Sequence, residues 1–68
     1  MKINYNKHIW EGWTVQDFVD ELELSFKYIK DKLKTKEEVK RWSMDNQPYY
    51  KKHIPEVVNH FCNQLNIK

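Results

Sequence analysis

Apolar residues recur in the first half of the chain at the three- and four-residue spacings of an α-helix. They form one stripe that consists of Val15, Phe18, Val19, Leu22, Phe26, Ile29 and Leu33. Thr14 precedes this stripe and Asp17 lies three residues after Thr14, which is the arrangement of a capped helix N-terminus. Trp13 and Phe18 are spaced as a hydrophobic staple across the same start. The pattern predicts a first helix over about residues 15–32.

A second helical pattern begins at Thr35. Thr35 and Glu38 are spaced as a capping box, in which each side chain bonds the backbone N–H of the other residue. The pattern ends before Pro48, because proline disfavours the helical conformation in the residue that precedes it. These signals predict a second helix over about residues 36–45.

A third helix is predicted after Pro55. Proline suits the first position of a helix, because its φ is already helical and its missing N–H has no partner there. The apolar residues that follow are Val57, Val58, Phe61, Cys62 and Leu65. They predict a helix over about residues 55–66. Because the chain contains one glycine, it has little turn chemistry for hairpins. We therefore predict an all-α fold, with residues 1–68 forming a single compact domain of three helices.

The N-terminal residues have the least regular pattern. Ile3 and Tyr5 alternate as in a strand, but the rest of the chain offers no obvious partner strand. We predict an extended, aromatic N-terminal arm that lies on the helices, and a short strand over residues 2–5 stays open as the alternative. Gly12 is able to supply a positive φ where the chain turns into the first helix.

Composition limits the class of protein. The chain has 68 residues, and its three Trp, four Tyr and three Phe indicate a packed globular domain. One Cys excludes a disulfide framework within the chain and a Cys-based zinc ribbon. No apolar run approaches the length of a membrane span, and the first residues do not form a secretory leader. We therefore expect a cytoplasmic protein without a membrane partner.

No catalytic motif is present. The chain has no phosphate-binding glycine loop, no Gly-x-Ser-x-Gly and no His-Glu-x-x-His. The candidate metal ligands His60 and Cys62 are two residues apart and face different sides of a helix, and His53 precedes Pro55. We therefore expect a protein that is not an enzyme and that has no metal, no cofactor and no small-molecule substrate.

Charge is unevenly distributed along the chain. Residues 10–26 contain five acidic residues and no Lys or Arg, whereas residues 27–41 contain seven Lys or Arg and three acidic residues. This order suits the dipole of a helix. It also allows an alternative function, DNA or RNA binding through a basic face at 27–41 and 51–52. The acidic segment and the absence of Lys or Arg from the predicted third helix argue against that alternative.

The aromatic residues outnumber those that three short helices bury. Surplus Tyr side chains beside Lys are typical of binding surfaces. The candidate contact residues are Tyr28, Tyr49, Tyr50, Lys51 and Lys52. They predict a non-catalytic binding protein whose partner is another protein or a second copy of the chain. Shielding of the core edges is the competing interpretation.

Three segments, WEGWTVQDF, WSMDNQPYYKK and IPEVV, carry a resemblance to known sequences. They resemble small helical proteins encoded on conjugative transposons and related mobile elements of Gram-positive bacteria. The resemblance covers most of the chain. It implies a cytoplasmic accessory protein of a mobile element without enzyme activity, and it carries over no site residues.

Overall fold

A computed structural model of the chain describes residues 2–47 and 49–67. Its elements, in chain order, are β1 (His8–Trp10), β2 (Trp13–Thr14), α1 (Val15–Ile29), a 3-10 turn (Lys30–Lys32), α2 (Lys36–Asn46) and α3 (Pro55–Gln64). The prediction of three helices is therefore confirmed, and α2 ends close to the position expected. Pro48, the residue from which that end was inferred, lies outside the described residues.

The N-terminal region differs from the predicted arm, and the fold is not purely all-α. Strands β1 and β2 form a two-stranded antiparallel sheet, whereas residues 2–5 belong to neither strand. Trp10 pairs with Trp13, so Glu11 and Gly12 form the turn. Glu11 has a φ of 31° and Gly12 a φ of 81°, and a type I′ hairpin turn requires positive φ at both central positions. One glycine is sufficient for one hairpin, so the low glycine content was a poor argument against strands.

Both predicted capping boxes are formed. The Thr14 hydroxyl accepts a bond from the backbone N–H of Asp17 at 3.3 Å, and the Asp17 carboxylate accepts one from the N–H of Thr14 at 2.8 Å. Thr35 and Glu38 make the equivalent pair at the start of α2. The predicted staple is also present, since the rings of Trp13 and Phe18 lie 5.1 Å apart. Local sequence therefore determines where α1 and α2 begin.

The N-terminal segment completes the start of α1. The first N–H groups of a helix have no partner within the helix. Here the N–H of Val15 donates to the carbonyl of Lys7, and the N–H of Gln16 donates to the carbonyl of Tyr5, both at 3.0 Å. Residues 2–7 are thus an integral part of the domain.

Side chains of the same segment reach α3. The Tyr5 hydroxyl lies 2.8 Å from Nδ1 of His60, and Lys7 Nζ lies 2.6 Å from a carboxylate oxygen of Glu56. The hydrogen bond from Lys7 holds the pKa of Glu56 below its ordinary value. These contacts attach the segment to both α1 and α3.

Large aromatic side chains fill the core between the helices. Phe61 is fully buried, and its ring lies 4.6 Å from Phe26 and 5.0 Å from Trp42. The indole N–H of Trp42 donates to the hydroxyl of Ser25 at 3.1 Å, which joins α2 to α1. Cys62 is buried beside this cluster, as expected for a small apolar residue. Within residues 2–47 and 49–67, no helix combines the length and apolar character needed to cross a membrane.

Candidate functional site

Four of the five predicted contact residues lie in the loop that joins α2 to α3. This loop contacts the tip of the β1–β2 hairpin, where the ring of Tyr49 stacks on the ring of Trp10. The two ring centroids are 6.0 Å apart and the rings are inclined by 25°. We call this region the hairpin–loop surface, and it consists of Trp10, Tyr49, Tyr50, Lys51 and Lys52.

Tyr49 is the most exposed ring of this surface, with 78% of the residue accessible to solvent. Its φ is 64°, in the left-handed region that large side chains rarely adopt. For an L-residue that conformation costs about 1–2 kcal/mol. The backbone therefore holds the Tyr49 ring on the surface despite a local cost in stability.

Gln47 determines the course of the loop. Its side chain is buried, and its carboxamide NH₂, oriented to satisfy both of its polar atoms, donates to the carbonyls of Tyr50 at 3.0 Å and Lys52 at 2.6 Å. These bonds replace backbone bonds that an irregular segment lacks. The loop is consequently fixed by a buried side chain, and the sequence analysis did not identify this role for Gln47.

Tyr50 has a different role from Tyr49. It is half-buried, and its ring packs 5.9 Å from Phe18 at the start of α1. Lys51 and Lys52 are exposed next to it. Tyr50 therefore forms the boundary between core and surface, so the shielding interpretation describes this ring better than it describes Tyr49.

Trp10 belongs to the surface, although the sequence analysis placed this residue only in the aromatic N-terminal arm. It is half-buried and provides the platform for Tyr49. The only signal for this role was Gly12, because glycine is favoured at the second central position of a type I′ turn, whereas Glu11 is not a residue type favoured at the first.

Tyr28 is not part of the hairpin–loop surface. It lies on α1 ten residues beyond Phe18, which contacts Tyr50, and ten helical residues rise about 15 Å. Tyr28 is 84% exposed and Leu24, one turn before it, is 66% exposed. The structure thus separates the predicted contact residues into two surfaces.

The basic stretch at 27–41 is also separate from Lys51 and Lys52. Its five lysines before residue 40 are exposed, and they are Lys27, Lys30, Lys32, Lys34 and Lys36. Helix α2 has 11 residues, which span about 16 Å. These five lysines precede this helix or begin it, whereas Lys51 and Lys52 follow its end. Arg41 is exposed midway along α2. The five lysines and the Lys51–Lys52 pair therefore do not form one compact patch.

The candidate metal ligands are not assembled into a site. Burial lowers the pKa of His60 below its ordinary value, an effect that Glu23 and Asp20 partly oppose. Burial raises the pKa of the Cys62 thiol, which favours the unreactive protonated form. Among the residues that the structure describes, no group of three or more His, Cys, Asp or Glu side chains is placed to hold a metal ion.

The hairpin–loop surface is thus an exposed Tyr ring stacked on a Trp ring, bordered by two lysines and supported by a buried Gln. Its geometry provides contact area and positive charge. Comparisons of the chain with protein-family models, curated proteins and solved structures found no match.

Proposed function

We propose that the chain is a non-catalytic binding protein that holds a protein partner through the hairpin–loop surface. The observation that carries this proposal is the position of Tyr49, an aromatic ring that is 78% exposed on a backbone with a φ of 64°. Strained residues that persist on a surface tend to be functional, because the fold would be more stable without the strain.

The chemistry of the surface supports a protein partner. Tyr and Trp are the residues most often found at the energetic centres of protein interfaces, because each buries a large area with little loss of side-chain entropy. The stack on Trp10 orients the Tyr49 ring before any partner arrives, which lowers the entropic cost of binding. Lys51 and Lys52 favour a partner that carries acidic groups around an apolar pocket.

The cellular setting is part of the same proposal. The resemblance to accessory proteins of mobile elements supports a cytoplasmic role in which the chain assists a larger protein of such an element. In this role the chain contributes binding without catalysis, cofactor or metal.

A peptide library displayed on phage tests the proposal without knowledge of the partner. The full chain is the target, and the selected peptides are then titrated into isotope-labelled chain. We expect them to contain apolar and acidic residues and to shift the indole resonance of Trp10. Tyr49→Ala should weaken their binding by about tenfold or more, as for an interface anchor.

Tyr28→Ala is the matched control, since it removes an equally exposed Tyr from a different surface. It should leave the affinity for the selected peptides unchanged. Binding should also persist at about 0.5 M salt, where charge interactions on the surface are screened. Peptides that bind equally well to the Tyr49→Ala variant would refute the proposed surface.

Nucleic-acid binding is the second candidate, and the exposed lysines between residues 27 and 36 favour it. The ion pairs within the described residues are Lys7–Glu56 and Lys40–Glu37, so none of these lysines is in an ion pair there. Titration with short duplex and single-stranded DNA at low salt tests this function. Resonance shifts at 27–41 and 51–52 that disappear with added salt support it, because phosphate contacts release counterions. An unchanged spectrum eliminates it.

A further inference from the structure

Tyr28 is the predicted contact residue that the hairpin–loop surface leaves unused. It is 84% exposed and stands one residue before the end of α1. Within residues 2–47 and 49–67 its ring packs against no other aromatic ring. Tyr28 therefore offers an open aromatic face, which is the kind of surface on which nucleic-acid bases stack.

Five exposed lysines surround this end of α1. They lie on the last turn of α1, in the 3-10 turn, in the linker and at the first residue of α2, and they are Lys27, Lys30, Lys32, Lys34 and Lys36. We call Tyr28 and these five lysines the basic corner. Asp31 is the only acidic residue between positions 27 and 36, so the formal charge of this stretch is +4.

The fold does not neutralise the basic corner with ion pairs. In the described part of the chain the ion pairs are Lys7–Glu56 and Lys40–Glu37, which involve none of the five lysines. Like charges in so short a stretch repel each other. A phosphate backbone relieves this repulsion and releases its own counterions when it binds. The corner is thus complementary in charge to a polyphosphate chain.

We propose that the basic corner holds single-stranded nucleic acid, with one base stacked on the Tyr28 ring and the neighbouring phosphates on the lysines. Lys27 directly precedes Tyr28, and Lys32 follows it by about one helical turn, so cations lie before and after the ring along the chain. The inference rests on the second candidate function and deepens it by naming the kind of strand. It does not involve the hairpin–loop surface.

The aromatic ring favours a single strand over a duplex. Bases in a duplex are stacked on each other, whereas the bases of a single strand are able to stack on an aromatic side chain. Lysines contact the phosphates of either form. Tyr28 therefore supplies the selectivity, and the lysines supply attraction that both forms share.

The acidic residues of α1 lie at a distance from the corner or face elsewhere. Asp20 and Glu21 precede Tyr28 by eight and seven residues, which correspond to about 12 and 10 Å along a helix. The Debye length at 0.1 M salt is about 10 Å, so their repulsion of a phosphate at the corner is largely screened. Glu23 is half-buried and lies close enough to His60 of α3 to raise its pKa.

The acidic residues at the start of α2 already have partners. Glu38 accepts the backbone N–H groups of Lys34 and Thr35, and Glu37 lies 3.9 Å from Lys40. Asp31 is exposed within the corner itself, where it opposes phosphate binding. Removal of its charge should therefore strengthen the binding of a single strand.

Fluorescence anisotropy at about 0.1 M salt tests the proposal with the full chain and a labelled oligothymidylate of about ten nucleotides, a length within the range that such surfaces cover. A duplex and an abasic strand of the same length are the comparison ligands. We expect the single strand to bind about tenfold more tightly than either. Tyr28→Ala should weaken its binding by about tenfold and change duplex binding less than about twofold, whereas Tyr28→Phe should retain single-strand binding.

Charge variants test the phosphate contacts. Lys27→Gln and Lys32→Gln should each weaken single-strand binding, and each should reduce the slope of log affinity against log salt by about 0.7. Lys2→Gln is the matched control and should change the affinity less than about twofold. It removes an exposed lysine from the segment that contacts the other end of α1. Asp31→Asn should increase the affinity. Circular dichroism checks that every variant remains helical.

The possible failures are distinguishable. Absence of binding to all three ligands at low salt refutes the inference together with the second candidate function. Equal binding of single strand and duplex, or of the abasic strand, overturns the inference alone, because charge then accounts for the affinity. Loss of single-strand binding in Tyr49→Ala but not in Tyr28→Ala also overturns it, because the base then stacks on the hairpin–loop surface.

Discussion

The hydroxyl of Tyr5 lies 2.8 Å from Nδ1 of His60, and this contact joins residues that are 55 positions apart. The other ring nitrogen of His60, Nε2, is buried and has no hydrogen-bond partner among the described residues. The ring also packs edge-on against Phe61, with centroids 4.9 Å apart. Protonation therefore places a charge where the surroundings solvate it poorly.

Stability should decrease when His60 is protonated. Burial lowers its pKa from the ordinary value of 6.5, so the unfolded chain binds this proton at a higher pH than the folded chain does. Linkage then requires the free energy of unfolding to fall as pH drops from above 6.5 towards the lowered pKa. Urea unfolding at about pH 7.5 and about pH 5.5 measures this difference.

A His60→Gln variant should lose most of this pH dependence, whereas His53→Gln should retain it because His53 is exposed. Glu56 affects the free energy of unfolding in a separate, more acidic pH range. Its pKa is lowered from 4.5, so its contribution is present above 4.5 and is lost as pH falls through the lowered value. An equal pH dependence in the His60→Gln variant and in the original chain would contradict this assignment.

Gly12→Ala should destabilise the fold by about 1–2 kcal/mol, the cost of a left-handed conformation for an L-residue. The φ of Gly12 is +81°, and, apart from Gly12 and its two chain neighbours, no residue of 2–47 or 49–67 places an atom within 4 Å of the position that a Cβ would occupy. The cost is therefore one of backbone conformation and not of steric overlap. Gly12→Asn should cost less, because Asn tolerates positive φ. Thermal unfolding of both variants compares the two, and an equal loss for Ala and Asn would argue against a conformational origin.

Ser25→Ala should destabilise the fold by about 1 kcal/mol or more, because it leaves the indole N–H of Trp42 without its partner. Trp42 is only 5% exposed, so most of its surface is closed to water. Ser25→Thr keeps the hydroxyl and is the control. Urea unfolding followed by circular dichroism gives the free energies, and a Ser25→Ala protein as stable as the Thr variant would show that the bond contributes little.

Tyr49→Gly should be more stable than Tyr49→Ala by about 1 kcal/mol, because Ala keeps the unfavourable positive φ and Gly does not. Both variants lose the stack on Trp10, so the comparison isolates the backbone. In regular helices and strands the order is reversed, since glycine there is the less stable residue. Thermal unfolding of the two variants decides the order, and a more stable Ala variant would remove the evidence for strain at Tyr49.

The helices could be predicted from sequence because their signals are local. The capping residues Thr14 and Thr35 act within one turn, and the apolar stripe of α1 depends only on helical periodicity. The hairpin was missed because it depends on a two-residue turn in which both residues have a positive φ. Glu11 is not a residue type that favours this conformation. The number of glycines did not indicate that the single glycine, Gly12, stands in a hairpin turn.

The candidate site was predicted only in part, because local sequence shows some of its residues and only the folded chain brings in the others. Tyr49, Tyr50 and the two lysines are neighbours in sequence, so their grouping required no tertiary information. The platform Trp10 and the support Gln47 come from other elements, and only the folded chain brings them to the loop. Tyr28 was grouped with the loop because of its residue type, but the rise of α1 moves it to a different surface.

The bonds from the start of α1 to the carbonyls of Tyr5 and Lys7 couple the protection of this helix to the docking of the N-terminal segment. Helical domains of this size usually fold fast, because most of their contacts are local. Here the N–H groups in the first turn of α1 donate to carbonyls of a segment that also contacts α3. The amide protons of Val15 and Gln16 should consequently exchange with solvent whenever that segment detaches, and both should report the same free energy of opening. The segment that contains Tyr5 and Lys7 thus forms one cooperative unit with α1 and α3, and the first turn of α1 gains its full protection only when that segment is docked.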